Sequence, residues 1–198
     1  MEATSDGSRS RTRARTTGLL INFAAFQIGW FACVLGAAHA LPWAGAGIAL
    51  AIVAWHLARA RRPRAELALV LVAAGTGALW DSGLAALGWI RFASGVLVEG
   101  TAPYWIVAMW MLFATTLNVS LAWLKRRTAL AVLFGALGGP LAYLGGAKLG
   151  AVTLVAQGPA LAALALGWAV ITPLLLEVAR RFDGFTPEHG LRAESAHA

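Results

Sequence analysis

Six long apolar runs, separated by short polar clusters, make up most of the chain. A helix needs about 20 mainly apolar residues to cross a hydrocarbon layer of about 30 Å. Runs that approach this length lie at residues 18–38, 43–58, 67–90, 104–124, 128–147 and 159–179. The second is short, but Pro42 and an arginine cluster bound it. The pattern predicts an all-α, polytopic membrane protein. A six-helix transmembrane bundle fills residues 18–180, between a basic N-terminal tail at 1–17 and a polar C-terminal tail at 181–198. The stretch 149–157 is also apolar, and either prolongs the fifth helix or forms a buried loop.

Composition agrees with this pattern and narrows the function classes. The chain is 59% hydrophobic and 13% charged, where a soluble domain carries about a quarter charged residues. Disorder is excluded as well, because it requires low hydrophobicity. The net charge of +7 does not point to nucleic acid. The basic residues sit at the ends of apolar runs and form no basic face on a folded soluble domain. The single cysteine, Cys33, excludes an intramolecular disulfide and a cysteine metal cluster, and reads as a small packing residue.

Charge sets the expected orientation. Arg9, Arg11, Arg13 and Arg15 precede the first run; Arg59, Arg61, Arg62 and Arg64 fill the next-but-one connection. Lys125, Arg126 and Arg127 follow the fourth run, and Arg180 and Arg181 follow the sixth. Thirteen basic residues thus fall on one side, against Arg91 and Lys148 on the other. The positive-inside bias makes the first side, and both termini, cytoplasmic. The N-terminus imitates a secretory signal, with Ala38-His39-Ala40 as a small-x-small site. The apolar run is longer than a signal core and contains Asn22 and Gln27, so it reads as a retained span.

Polar residues inside apolar runs are the candidates for chemistry. At helical spacing, Asn22, Ala25, Gly29, Ala32, Gly36 and His39 form one stripe that should face the bundle. Ala74, Gly77, Asp81, Ala85 and Gly88 form a second stripe. Asp81 lies well inside a span, where a carboxylate is costly and marks either function or a structural bond. His39 ends the first helix on the same side, so the two are candidates for sharing a proton. Asn118, with Asn22 and His56 at similar depth, suggests an inner polar layer; its threonines and Ser120 can bond back to their own backbone.

Trp43, Trp89 and Trp105 fit an outer interfacial belt, and Trp55 and Trp123 an inner one. Trp30, Trp80, Trp110 and Trp168 fall near mid-span and either line a pocket beside Asp81 or pack helices together. In the fifth run Pro140 removes a backbone donor, which predicts a kink or break near Gly139-Pro140. Gly135 and Gly139 form a small-xxx-small pair there, and Tyr143 follows one turn later. A broken helix would free backbone groups for a substrate; close packing explains the glycines equally well. Zinc-protease, nucleophile-elbow and P-loop signatures are absent, and His39 and His56 lie near opposite faces. No metal or cofactor is expected.

The segments Asn22-Phe23-x-x-Phe26-Gln27, Trp80-Asp81-Ser82, Thr116-Leu117-Asn118-x-Ser120 and Gly138-Gly139-Pro140-Leu141-Ala142-Tyr143 carry a resemblance. Over about 18–179 the chain resembles a family of small bacterial inner-membrane proteins known only as a domain of unknown function. The resemblance implies a bacterial cytoplasmic membrane protein and brings no activity with it.

Three readings follow. In the first, the bundle binds or moves a small amphipathic or lipidic molecule through a pocket in its outer half. Asp81, His39, Trp30, Trp80, Trp110, Asn118, Asn22 and Tyr143 are the candidate contacts. In the second it is a membrane-embedded enzyme of lipid or isoprenoid metabolism, with Asp81 and His39 as acid and base. In the third it is a structural subunit whose small-residue stripes serve a membrane-protein partner or a second copy.

Overall fold

The computed structural model describes residues 3–186. Six α-helices dominate it: α1 Ala3–Ala38, α2 Pro42–Arg59, α3 Pro63–Ala86, α4 Tyr104–Leu117, α5 Thr128–Lys148 and α6 Gln157–Arg181. Four stretches are long and apolar enough to cross a membrane: Thr16–Ala38, Pro63–Ala86, Thr128–Lys148 and Gln157–Arg181. The expected tail at 1–17 is continuous with α1 from Ala3 onward; residues 187–198 of the C-terminal tail lie outside the described residues.

Proline marks three helix starts. Pro42 and Pro63 occupy the first turn of α2 and α3, where a missing N–H costs nothing, and Pro103 caps α4. Glycine marks an end: Gly88, the last member of the Asp81 stripe, adopts φ +69° and closes α3, while Trp89 N–H donates to the Leu84 carbonyl. That residue serves the turn rather than a packing face.

Helix α4 is the centre of the bundle. It packs on α1, α2 and α3, with a smaller contact to α6, and most of its residues are buried. The expected span 104–124 is shorter than the run of apolar residues suggests. The α-helix ends at Leu117 and is followed by a 3-10 turn, Ala122–Arg126. The polar residues cause this. Thr115 and Thr116 hydroxyls donate to the Leu112 and Phe113 carbonyls, and Asn118 and the Ser120 N–H bond to other elements. At 1.5 Å per residue α4 is about 21 Å long, and its neighbours shield it from lipid.

The small-residue stripe of α1 does face the bundle. A side-chain carbon added at Gly45 of α2 would lie 2.4 Å from the Ala32 carbonyl oxygen, and one at Gly29 would meet Leu112 of α4 at 2.5 Å. The pair α5–α6 is built the same way. Gly135 lies against the backbone of Trp168, and Gly139 against its ring. The expected break at Gly139-Pro140 is absent: α5 continues as one helix through Pro140. Pro140 has no N–H to offer the Ala136 carbonyl, and packing along α6 holds the helix continuous across that missing bond. Helix α6 likewise runs through Pro173.

The stretch 149–157 is neither helix extension nor loop alone. Val152–Leu154 forms strand β2, antiparallel to β1, Ile90–Phe92, with Phe92 opposite Val152 and Ile90 opposite Leu154. Ile90, Phe92 and Val152 are buried beneath this small sheet, while Arg91 points out. The sheet covers one end of the bundle. At the other end the arginine-rich connections meet: the Arg61 and Arg62 N–H groups donate to the Gly184 carbonyl, and Lys125 pairs with Asp183 at 2.9 Å. Burial alone would raise the Asp183 carboxyl. The Lys125 ammonium and the amides of Thr186 and Phe185 outweigh it, holding the group at about 2 against an ordinary 3.8.

Candidate functional site

A cavity of about 370 Å³ lies between α1, α4 and α5, with Trp168 of α6 in its wall. It runs from Trp105 and Val152 at the sheet end to Ser120 and Leu121 toward the arginine-rich end, so it is not confined to one half of the bundle. Helices α1 and α5 both line it without packing on each other along their lengths. They come close at one height, where a side-chain carbon at Gly145 would meet the Trp30 ring at 3.4 Å. Phe23, Phe134 and Leu141 line the cavity and are also exposed, which makes them its lateral rim. The opening therefore faces the apolar layer that these helices would occupy.

Aromatic rings make the inner wall. Trp110 and Trp168 stack with centroids 4.5 Å apart and planes at 18°. Phe113 meets the Trp168 ring edge-on at 5.4 Å. Two glycines make this stack possible: Gly77 of α3 and Gly139 of α5 leave room for Trp110 and Trp168 respectively.

Asp81 sits behind this wall, fully buried and not part of the cavity surface. One carboxyl oxygen accepts the indole N–H of Trp110 at 2.7 Å, and the other accepts the hydroxyl of Tyr143. Both donors belong to the wall. The carboxyl thus ties α3 to α4 and α5 and fixes two wall residues. Each such bond contributes about 1 kcal/mol net, and more where the acceptor is charged.

His39 is elsewhere. The chain turns through Ala40, at φ 58°, and the exposed His39 ring bonds the Leu35 carbonyl of its own helix end at 2.9 Å. Among the described residues, the hydrogen-bond partners of Asp81 are Trp110 and Tyr143, not His39. Trp30, Trp110, Tyr143 and Trp168 line the cavity as the sequence reading allowed, but Trp80 does not. It packs on Gly167 and joins α3 to α6. Trp105, expected in the interfacial belt, is buried with its N–H on the Ser94 carbonyl at 2.9 Å. Trp55 and Trp123 are exposed and lie beneath Arg59 and Arg127.

The expected inner polar layer separates into two bond sets, and Asn22, His56 and Asn118 do not reach the cavity surface, although Thr116 and Ser120 do. Asn22 accepts the Ser120 N–H and donates to the Thr115 carbonyl, joining α1 to the end of α4. His56 and Asn118 instead meet on Glu66, at 2.9 and 2.5 Å. Glu66 is fully buried and also accepts the Gly184 N–H at 2.8 Å, while Phe185 lies over the His56 ring at 4.8 Å. Sequence reasoning misses this hub because Glu66 stands at the start of a helix, where a carboxylate is normally solvated. Only the fold of the segment after α6 covers it.

No curated protein and no solved structure matches the chain. The family described as "Protein of unknown function (DUF2878)" matches residues 19–174, and with that extent the chain, an apolar helical membrane protein, belongs to this family.

Proposed function

We propose that the protein holds a small, mostly apolar molecule in the lateral cavity and either stores it or passes it on. The observation that carries this reading is the cavity itself: about 370 Å³, walled by aromatic rings and open sideways between α1 and α5. Ligand sites of small molecules typically span about 300–1,000 Å³ and are mainly apolar. The acid–base reading has less support, because Asp81 and His39 do not meet and Asp81 is spent on holding Trp110 and Tyr143.

The test uses Gly138. It lines the cavity, and a side-chain carbon there would meet nothing within 4 Å. Protein extracted gently should carry a defined small molecule, detected by mass spectrometry, and Gly138→Phe should lose it while melting like the parent. Equal retention by the two proteins would overturn the reading. An empty parent that instead purifies with a stoichiometric protein partner would favour the structural-subunit reading.

The setting we propose is a bacterial cytoplasmic membrane with both termini in the cytoplasm. The thirteen-to-two basic split supports this, as does the meeting of the arginine-rich connections at one end. Reporter fusions after Arg64, Arg127 and Arg181 should give cytoplasmic activity. Periplasmic activity after Arg64 or Arg127 would refute the orientation.

A further inference from the structure

Charge is missing from the cavity wall. Among the described residues that line it there is no Asp, Glu, Lys, Arg or His. The nearby carboxyl, Asp81, is behind the wall with both oxygens already bonded. An ionised ligand group entered here would be desolvated with no counter-charge, which costs several kcal/mol or forces neutralisation. The wall is not wholly apolar, however. Gln27 projects from the membrane-spanning part of α1 into the lining, and its carboxamide makes no hydrogen bond among the described residues. Ser120, which also lines the cavity, carries a buried hydroxyl without a partner among the described residues. Of the other polar wall groups, Trp110 and Tyr143 are bonded to Asp81, Trp105 to the Ser94 carbonyl and the Thr116 hydroxyl to the Phe113 carbonyl, while the buried Trp168 indole N–H, held in the aromatic stack, has no partner among the described residues.

Resting on the cavity reading above, we propose that the ligand is an uncharged single-chain molecule with one hydroxyl or carbonyl group, which the Gln27 carboxamide recognises. The carboxamide supplies both a donor and an acceptor, so either group satisfies it. The chain then lies along Phe26, Phe113 and the Trp110–Trp168 stack. A polar side chain within a membrane span is costly unless bonded, so an unbonded Gln27 facing an open cavity is accounted for by a partner that enters with the ligand.

The experiment uses the full chain in nanodiscs and four photoreactive twelve-carbon probes that carry a hydroxyl, an ammonium, a carboxylate or no head group. The hydroxyl probe is expected to label α1 and α5 peptides about fivefold more than the headless one, the worth of one net hydrogen bond. The ammonium and carboxylate probes should label them least. Gln27→Leu should bring the hydroxyl probe down to the level of the headless probe measured on the same variant. Gly138→Phe, and Gly146→Leu at the sheet end, should suppress every probe. A side-chain carbon at Gly146 has only an ordinary 3.6 Å contact with Val152, so this second plug covers a folding failure of the first. Labelling that both plugs suppress, but that is strongest for a charged probe or unchanged by Gln27→Leu, overturns the ligand class and leaves the cavity reading standing. Labelling that survives both plugs in folded protein overturns the cavity reading itself.

Discussion

Asp81→Leu is expected to destabilise the protein severely, whereas Asp81→Asn should be nearly silent. Leucine removes the acceptor of the Trp110 N–H and the Tyr143 hydroxyl at once, in a site with no solvent to replace it. Each orphaned buried donor costs about 1–3 kcal/mol, so the pair costs about 2–6 kcal/mol. That is a large share of the roughly 5–15 kcal/mol that stabilises a typical domain. Asparagine keeps an acceptor oxygen for Trp110 and offers its amide to the Tyr143 oxygen, at a cost of about 1 kcal/mol. Thermal melting of the purified variants checks the difference. An Asp81→Leu protein that melts with the parent would show that the carboxyl does not organise the wall. An Asp81→Asn protein that folds but no longer retains its ligand would place the carboxyl in direct contact with that ligand.

Close helix approach gives the second large effect. Gly45→Ala and Gly135→Ala each drive a methyl group into backbone, at 2.4 Å from the Ala32 oxygen and 2.1 Å from the Trp168 oxygen. Backbone cannot rotate away as a side-chain tip can, so the helix pairs α1–α2 and α5–α6 must separate. Overpacking of this kind costs about 1–3 kcal/mol per site. The two sites lie in different helix pairs, so the double variant should lose about the sum, about 2–6 kcal/mol. Gly47→Ala and Gly75→Ala are the controls, since nothing lies within 4 Å of an added carbon there. Equal melting of all four single variants would contradict the packing described for these pairs.

Much of the fold was legible because membrane helices announce themselves by length and apolarity. Positions of the six helices, the inward stripe of α1 and the packing use of Gly135 and Gly139 all follow from residue type and spacing. The misses share a physical cause. At the end of α4 the Thr115 and Thr116 hydroxyls turn back on their own helix, while the Asn118 side chain bonds Glu66 of α3 and the Phe182 carbonyl and the Ser120 N–H bonds Asn22 of α1, partners that the sequence does not reveal. The β1–β2 pair joins residues about sixty positions apart, and three-residue strands leave almost no periodic signal. The local rule for Pro140 predicts a kink or break, and packing along α6 keeps the helix from breaking there.

At the site, Asp81 stood out because a carboxyl in a span must have a reason. Its partners could not be derived, since Trp110 and Tyr143 come from two other helices. His39 was placed near it by depth alone, and depth does not fix direction around a helix. Glu66 went unnoticed for the opposite reason: its position looked ordinary, and only the covering Gly184 and Phe185 segment makes it a buried hub. Gln27 enters the sequence reading as evidence against a signal peptide and in the segment that carries the family resemblance, not as a ligand contact. A free amide in a span becomes informative once the cavity beside it is known.

The most direct measurement is a high-resolution structure of the full chain in a lipid nanodisc, read between α1 and α5. Elongated density along the Trp110–Trp168 stack, with its polar end within hydrogen-bond distance of Gln27, is the expected result. Helix α1 closed against α5 with no space between them, or a cavity filled by ordered water, would contradict it.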